Sequence, residues 1–343
     1  MEKNTNIVSA NLAKRSGAAI LDFLIAILLW LTLLTFVISP IYDSLYNTTA
    51  IQQDYVAIQL ESNLYIEDPE TTVITYVSTE NIPAAVYNYY AEFREGKIYL
   101  EETDPFVFSN EWYNEHILNI GSTDDSITIY FEYDVDELDN PDPSKVGVPL
   151  DTATTEELDA FYLAAYTAAQ QDLARYAPYA ELAAQISNYS LQILSISGLI
   201  SIAVLYLLFP LLFKNGQTLS KKMFNLAVVS KQGYQIKVWQ VFARFAFFAM
   251  EIVLSIYTIM GAFLISYTLM IFTKGNRSAH DYVAGTSVVN LKQSLIFANE
   301  QEAGAYESKL QAETELQEMK REQYRLTEER SHIGEEAKKD EES

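Results

Sequence analysis

The sequence predicts an α-helical integral membrane bundle of three or four transmembrane helices. An extracytoplasmic α+β domain is inserted in it, and a charged helical tail follows. Three observations carry this reading. Apolar blocks at 17–41, 191–213 and 238–273 stand apart from polar sequence. The first two are 25 and 23 residues long, above the roughly 20 that a helix needs to cross hydrocarbon. The net charge of −23 is local: residues 44–189 hold 27 Asp and Glu against four Lys and Arg, and the rest of the chain is balanced.

Composition narrows the function classes. The acidic region repels nucleic acid and anionic lipid, so no nucleic-acid partner is expected. With no cysteine, disulfides, thiolate chemistry and Cys-ligated zinc are excluded. The three histidines, His116, His280 and His332, are far apart and show no metal-ligand spacing. No nucleophile–base motif or phosphate loop occurs. The expectation is a non-enzymatic protein without cofactor or metal.

Residues 1–43 form the N-terminus and first transmembrane helix. Lys3, Lys14 and Arg15 favour a cytoplasmic N-terminus. The apolar run is longer than a signal-peptide core and ends in Ser39 and Pro40 instead of a cleavage site, so an uncleaved anchor is expected. Within 17–41 the only ionisable residue is Asp22. An Asp near mid-helix costs about 2.5–3.5 kcal/mol to insert, so it should face protein or a wet cavity. Arg15 lies seven residues earlier, close to two turns, and shares that face. A structural ion pair and a proton-relay or transport role are equally compatible with this spacing.

Residues 44–189 form the acidic insertion, large enough to bury a core without disulfides. Residues 51–60 read as helix, 72–78 and 127–133 as strands, 97–100 as a shorter strand, and 80–95 as helix with Pro83 in its first turn. Residues 139–149 read as loop, and 154–190 as a long helix kinked at Pro178. Of the 24 tyrosines, 16 lie here. They read mainly as core residues with wet hydroxyls, a ligand or glycan surface being the other reading. Asp134, Asp136 and Asp139 resemble half a calcium loop. Lys145 stands where a bidentate acid is needed, and the turn glycine is missing, so an EF-hand is excluded.

Residues 190–291 complete the membrane region. The second transmembrane helix, 190–213, is uncharged. Residues 214–237 carry five lysines and no acid, which marks a cytoplasmic segment. Alternation of Phe224, Leu226 and Val228, a turn at Lys231 to Gly233, and alternation of Tyr234, Ile236 and Val238 predict a basic β-hairpin over 214–238. The block 238–273 is long for one span and short for two. Lys274 and Arg277, and a strand pattern at 286–291, favour a block that doubles back near 257–261 over one long tilted span. Arg244 and Glu251 repeat the seven-residue spacing of Arg15 and Asp22, an echo too weak to establish duplication. Residues 292–343 form a charged cytoplasmic tail, helical over 300–330 and then disordered.

Three ordered blocks resemble the RDD family of membrane proteins, named for one arginine and two aspartates. Arg15 and Asp22 match an Arg entering the first span and an Asp inside it. Gly216, Thr218, Lys221 and Lys222, followed by Val228, Val229 and Gly233, match the signature after the second span. Arg244 matches a later Arg. His280, Asp281, Gly285, Thr286, Val288 and Val289 match the closing pattern. The resemblance covers about 12–42 and 190–291. Ser220 departs from it, the family often having Gly there, and so does the long insertion where typical members have a short link. The resemblance implies a transport-type role, one member having been linked to sodium–proton exchange, and fixes no ligand.

The expected function is therefore a transport-related component of the bacterial plasma membrane, exchanging a monovalent cation for a proton. Arg15, Asp22, Arg244, Glu251 and Asp281 are its relay residues or structural ion pairs. The alternative is a membrane scaffold or sensor whose acidic domain binds an envelope partner. Three or four helices are few for a complete pathway, so a homo-oligomer or a membrane partner protein is expected, beside membrane lipid. A single cysteine replacing Ser343 in this cysteine-free chain should resist a membrane-impermeant reagent added outside cells; labelling there would require the single-span arrangement.

Overall fold

The Asn11 side chain accepts a hydrogen bond from the Ala13 N–H and starts α1, Leu12–Leu33. α1 passes through a wide π turn, Leu34–Ile38, into α2, Ser39–Tyr46, giving a continuous, mainly apolar helix of 35 residues. Pro40 accounts for the wide turn. It has no N–H to donate, and its ring crowds the carbonyl one turn back, so the ladder loosens there. The computed structural model describes residues 6–273 and 276–341. Lys3 and Lys274, used above for orientation, lie outside the described residues. The chain divides into two compact units, Met1–Leu34 with Ile196–Ser343, and Thr35–Ser195.

In the second unit Asn47 turns left-handed (φ 53°) and α3, Thr48–Glu61, follows. β1, Tyr65–Glu67, pairs antiparallel with β2, Ile74–Tyr76. α4, Ile82–Asn88, carries Pro83 in its first turn and continues as a π turn, Tyr89–Phe93. α5 is Asn110–His116, capped by Ser109. β3, Phe131–Glu132, pairs antiparallel with β4, Val148–Pro149. α6, Thr155–Leu173, begins in a capping box made by Thr154 and Glu157. α7, Ala177–Ala203, restarts after a short break with Pro178 in its first turn. The sheets are thus small ladders on a mainly helical frame. The strand predicted at 72–78 shrinks to three residues and that at 127–133 to two. Residues 97–100 form no strand. Tyr99 is instead drawn into the core, where its hydroxyl meets that of Tyr89 at 2.9 Å.

That core is aromatic, built around Tyr89, Tyr90, Phe93, Tyr113 and Phe131 with Leu64 and Leu173. The tyrosines are core residues, and those at the centre have partnered rather than wet hydroxyls. Tyr89 donates to Asp172 Oδ2 at 2.9 Å, and Tyr166 donates to the Leu64 carbonyl. Burial pushes the Tyr90 phenol up to about 12. Arg94 is the charged centre. Its Nε donates to Asp172 Oδ2 at 2.6 Å, it also pairs with Glu102, and its guanidinium lies 4.5 Å from the Tyr99 ring and 4.3 Å from Phe106. Burial opposes the charge on Arg94, but the two carboxylates outweigh it and raise its pKa.

In the first unit, a third π turn, Val204–Leu208, precedes α8, Phe209–Leu212, and here Pro210 has the place that Pro40 has above. Thr218 caps α9, Leu219–Met223. β5, Leu226–Ser230, is buried throughout. Then come α10, Val238–Tyr257, α11, Gly261–Phe272, α12, Ala279–Val283, and β6, Thr286–Asn290. The predicted turn at Lys231 to Gly233 forms, Gly233 taking φ 92°. The ladder partner of β5, however, is β6 and not 234–238, in register Val228 to Val288. Residues 234–238 cannot extend as a strand because Lys237 already caps α10. They contribute one bridge, Val229 to Gln235, at one edge of the pair. At the other edge Ala10 N–H donates to the Val288 carbonyl at 3.1 Å, and Asn290 N–H to the Val8 carbonyl at 2.9 Å.

The block 238–273 breaks where Ile259 (φ 48°) and Met260 (φ 70°) turn left-handed, and it doubles back. The Phe263 N–H donates to Ser255 Oγ at 3.3 Å, and its ring returns to 6.1 Å from Phe248. Among the described residues three helices are long and apolar enough to cross a membrane: Leu12–Tyr46, Ala177–Leu212 and Val238–Ser255. At 12 residues α11 is shorter. At 1.5 Å per residue it reaches about 18 Å, against about 30 Å of hydrocarbon. α13, Glu300–Glu341, runs past the predicted limit at 330, as its wealth of Glu, Lys and Ala allows.

Removing the acid beside Arg94 tests the aromatic core. Asp172→Asn should lower stability by on the order of 3 kcal/mol, because a buried cation loses the more buried of its two carboxylate partners. Near-ultraviolet circular dichroism during thermal unfolding reads this, since the tyrosines report on packing.

Candidate functional site

α1 is apolar outside and polar inside. Ile20, Phe23, Leu24, Leu28 and Leu31 are exposed, whereas Arg15, Ala18 and Asp22 are buried. A bilayer would cover the first set, and the second meets the remainder of the unit. The helix of the second span packs against this one through polar contacts. Trp30 Nε1 donates to Ser197 Oγ at 2.9 Å, and Ser201 Oγ donates to the Ala26 carbonyl at 2.7 Å.

Asp22 is 1% exposed. Its Oδ2 accepts from Thr218 Oγ1 at 2.6 Å and from Lys221 Nζ at 3.4 Å, and its Oδ1 accepts from the Ser220 N–H at 3.3 Å. Thr218 Oγ1 also accepts from the Lys221 N–H at 3.4 Å and so holds the turn that presents all three donors. Burial lowers the Lys221 ammonium below the ordinary lysine value, with the Asp22 charge opposing.

Asp281 is fully buried and is the most heavily bonded carboxylate of the unit. Arg15 Nη2 reaches its Oδ2 at 2.8 Å, and Arg244 Nη1 reaches its Oδ1. Ser278 Oγ donates to Oδ2 at 2.9 Å and Thr286 Oγ1 to Oδ1 at 3.1 Å. Arg277 frames the same turn, donating to the carbonyls of Thr286 at 2.8 Å and Asp281 at 2.9 Å. Burial alone would raise the Asp281 carboxyl. The charges of Arg244 and Arg15 outweigh it and hold the group well below the usual carboxylate range.

Glu251, on α10, is 4% exposed. Its Oε2 lies 3.2 Å from His280 Nδ1, and the other ring nitrogen lies 2.9 Å from Ser278 Oγ. These groups surround a chamber of about 140 Å³, lined by Arg15, Asp22, Tyr206, Lys221, Arg244, Ser278 and His280 with apolar side chains between them. The walls are mainly apolar, but the polar groups set in them and that volume suit several waters. Among the described residues no group of three or more His, Asp or Glu could hold a metal ion.

The structure brings Arg15, Asp22, Arg244, Asp281 and Glu251 into one region but pairs them differently from their spacing. Arg15 bonds Asp281, and the cation of Asp22 is Lys221. Gly216 and Gly285 take positive φ (57° and 62°), and a Cβ on Gly216 would fall 2.8 Å from Ile236 Cγ2. Lys222 stays off the chamber, over the Phe213 ring at 4.4 Å. Tyr206 and Ser278 were not expected at the site from sequence; Ser220 stood out only as a departure from the family pattern and Arg277 only for orientation. Ser278 had a legible signal, since Ser followed three residues later by an acid is a helix-start pattern.

The family model of the RDD family matches residues 158–285. Over this stretch the chain is similar to the RDD family, as expected of an RDD family protein. The RDD match takes in Thr218, Lys221, Arg244, Glu251, His280 and Asp281. It begins inside α6, within the region read as an insertion, and does not extend to Arg15 or Asp22. No curated protein and no solved structure matches the chain.

Asp281→Asn should leave two guanidiniums facing each other without their shared counter-charge, a loss of about 3–5 kcal/mol. Because the folded-state value of Asp281 is depressed, its contribution is complete at neutral pH. It should persist through the ordinary carboxylate range and vanish only below it. Thermal unfolding of wild type and variant across acidic pH measures this. A stability gap that closes already near pH 4 would refute the assignment.

Proposed function

We propose that this RDD protein is a transport component of the plasma membrane that exchanges a monovalent cation for a proton at Asp22. The observation that carries the reading is the Asp22–Lys221 pair on the wall of the buried chamber. At rest the ammonium neutralises the carboxylate. A cation entering the chamber and binding Asp22 takes over that role, and Lys221 gives up its proton. One charge enters and one leaves, so the site stays neutral. The lowered Lys221 value favours this direction, because the neutral amine forms at a lower pH than an ordinary lysine allows. Exchange should therefore quicken as pH rises toward that value.

The arrangement in the membrane belongs to the same reading. The N-terminus and tail are cytoplasmic, 44–189 is an extracytoplasmic insertion, and further subunits, of this chain or a membrane partner, complete the pathway. A scaffold or sensor role is favoured by one separate observation. The Thr35–Ser195 unit has its own aromatic core, which exchange alone does not require.

The test is proton flux in proteoliposomes on adding sodium, potassium or lithium. Wild type should move protons with at least one cation. Asp22→Asn should reduce that flux at least tenfold at near-normal protein levels. Lys221→Gln should bind the cation without releasing a proton. No flux from folded wild type would sink exchange and turn attention to partners of 44–189.

A further inference from the structure

Two segments of the first unit repeat with an offset of 60 residues. Thr218 and Ser278 cap the five-residue helices Leu219–Met223 and Ala279–Val283. Gly216 and Asn276 before the caps, and Asn225 and Gly285 after the helices, all have positive φ. The strands Leu226–Ser230 and Thr286–Asn290 follow and pair antiparallel, with the equivalent residues Val228 and Val288 opposite each other. A local two-fold axis therefore passes through that pair. The acids obey it too. Each stands seven residues after an arginine and reaches the second residue past the cap: Asp22 the Ser220 N–H, Glu251 the His280 ring.

The halves differ at the third residue past the cap. In the first it is Lys221, which neutralises Asp22. In the second it is Asp281, which takes both Arg15 and Arg244. Glu251 is thus left with no fixed positive charge. Its Oε1 is buried and has no hydrogen-bond partner among the described residues.

We infer that Glu251 and His280 form a second proton-holding site, equivalent within an internal repeat to the Asp22 site and neutralised by a proton where Asp22 is neutralised by Lys221.

The hydrogen bonds fix where the proton sits. Asp281 is ionised between two guanidiniums, so the Ser278 hydroxyl donates to it and accepts from His280 Nε2. His280 therefore carries its proton on Nε2. Nδ1 then faces Glu251 Oε2 at 3.2 Å with one proton between them. A carboxylate with one oxygen buried and unsolvated is far costlier than a carboxylic acid with a bare carbonyl, so the proton resides on Glu251. The other charged groups facing the imidazole are Asp281 on its own helix and the two arginines, and these already neutralise one another in part. One directed chain results: Glu251 to His280, His280 to Ser278, Ser278 to Asp281. His280 also lines the chamber, which gives the Glu251 proton its way in and out.

The site is testable without any ion flux, so a failed exchange assay leaves it standing. On the full chain in lipid nanodiscs at neutral pH, infrared spectroscopy should show a protonated-carboxyl band. The band should disappear in Glu251→Gln, persist in Asp22→Asn and shift in His280→Gln. Nitrogen NMR of wild type labelled at histidine, assigned by subtraction with His116→Gln and His332→Gln, should show His280 protonated at Nε2 and bare at Nδ1. A protonated-carboxyl band with that tautomer supports the site. No such band, its survival in Glu251→Gln, or a His280 protonated on both nitrogens overturns it; the wild-type NMR decides even if Glu251→Gln fails to fold.

Discussion

Everything in the membrane unit depends on one carboxylate held between two guanidiniums. Asp281 receives Arg15 from α1 and Arg244 from α10 while sitting on α12. In a low-dielectric interior, each of these charges would be expensive alone, and the pairing with extra hydroxyl donors makes the burial tolerable. Because the three groups come from three separate helices, satisfying them fixes the helices relative to one another. The chamber is the space left beside this knot, and the knot sets polar groups in its wall.

The two prolines near the span ends illustrate how local chemistry is absorbed. Pro40 and Pro210 each follow a π turn, so each span keeps its helical path while changing its winding. Winding is not visible in hydropathy, which is why the sequence reading took the first span to end near Pro40 when the helix continues to Tyr46.

Legibility from sequence divides along physical lines. Hydropathy located all three long spans, because a bilayer rewards uninterrupted apolar runs; the break inside 238–273 was read instead from the basic residues that follow it and the strand pattern at 286–291, since Ile259 and Met260 are themselves apolar. The buried ionisable residues were legible for the same reason: Asp22, Arg244 and Glu251 have no other business in apolar helices. Pairing was not legible. Seven-residue spacing puts Arg15 and Asp22 on one face, but the partner of each comes from about 200 residues or more away, Lys221 for one and Asp281 for the other. In the second unit the β-branched runs pointed to strands, yet aromatic packing around Tyr89 shortened them or, at Tyr99, replaced one.

Arg15 and Asp281 are 266 positions apart. At the usual 5–20 residues per second of synthesis, α1 exists for roughly 10–50 s before its partner is made. Through that interval the ribosome has delivered a helix bearing an unmatched arginine and an unmatched aspartate. Lys221 emerges first and can discharge Asp22, but Arg15 must wait for nearly the whole chain. The first helix is thus an early guest whose final seat is made last, and the biosynthetic machinery that shelters it is part of what lets this fold be reached.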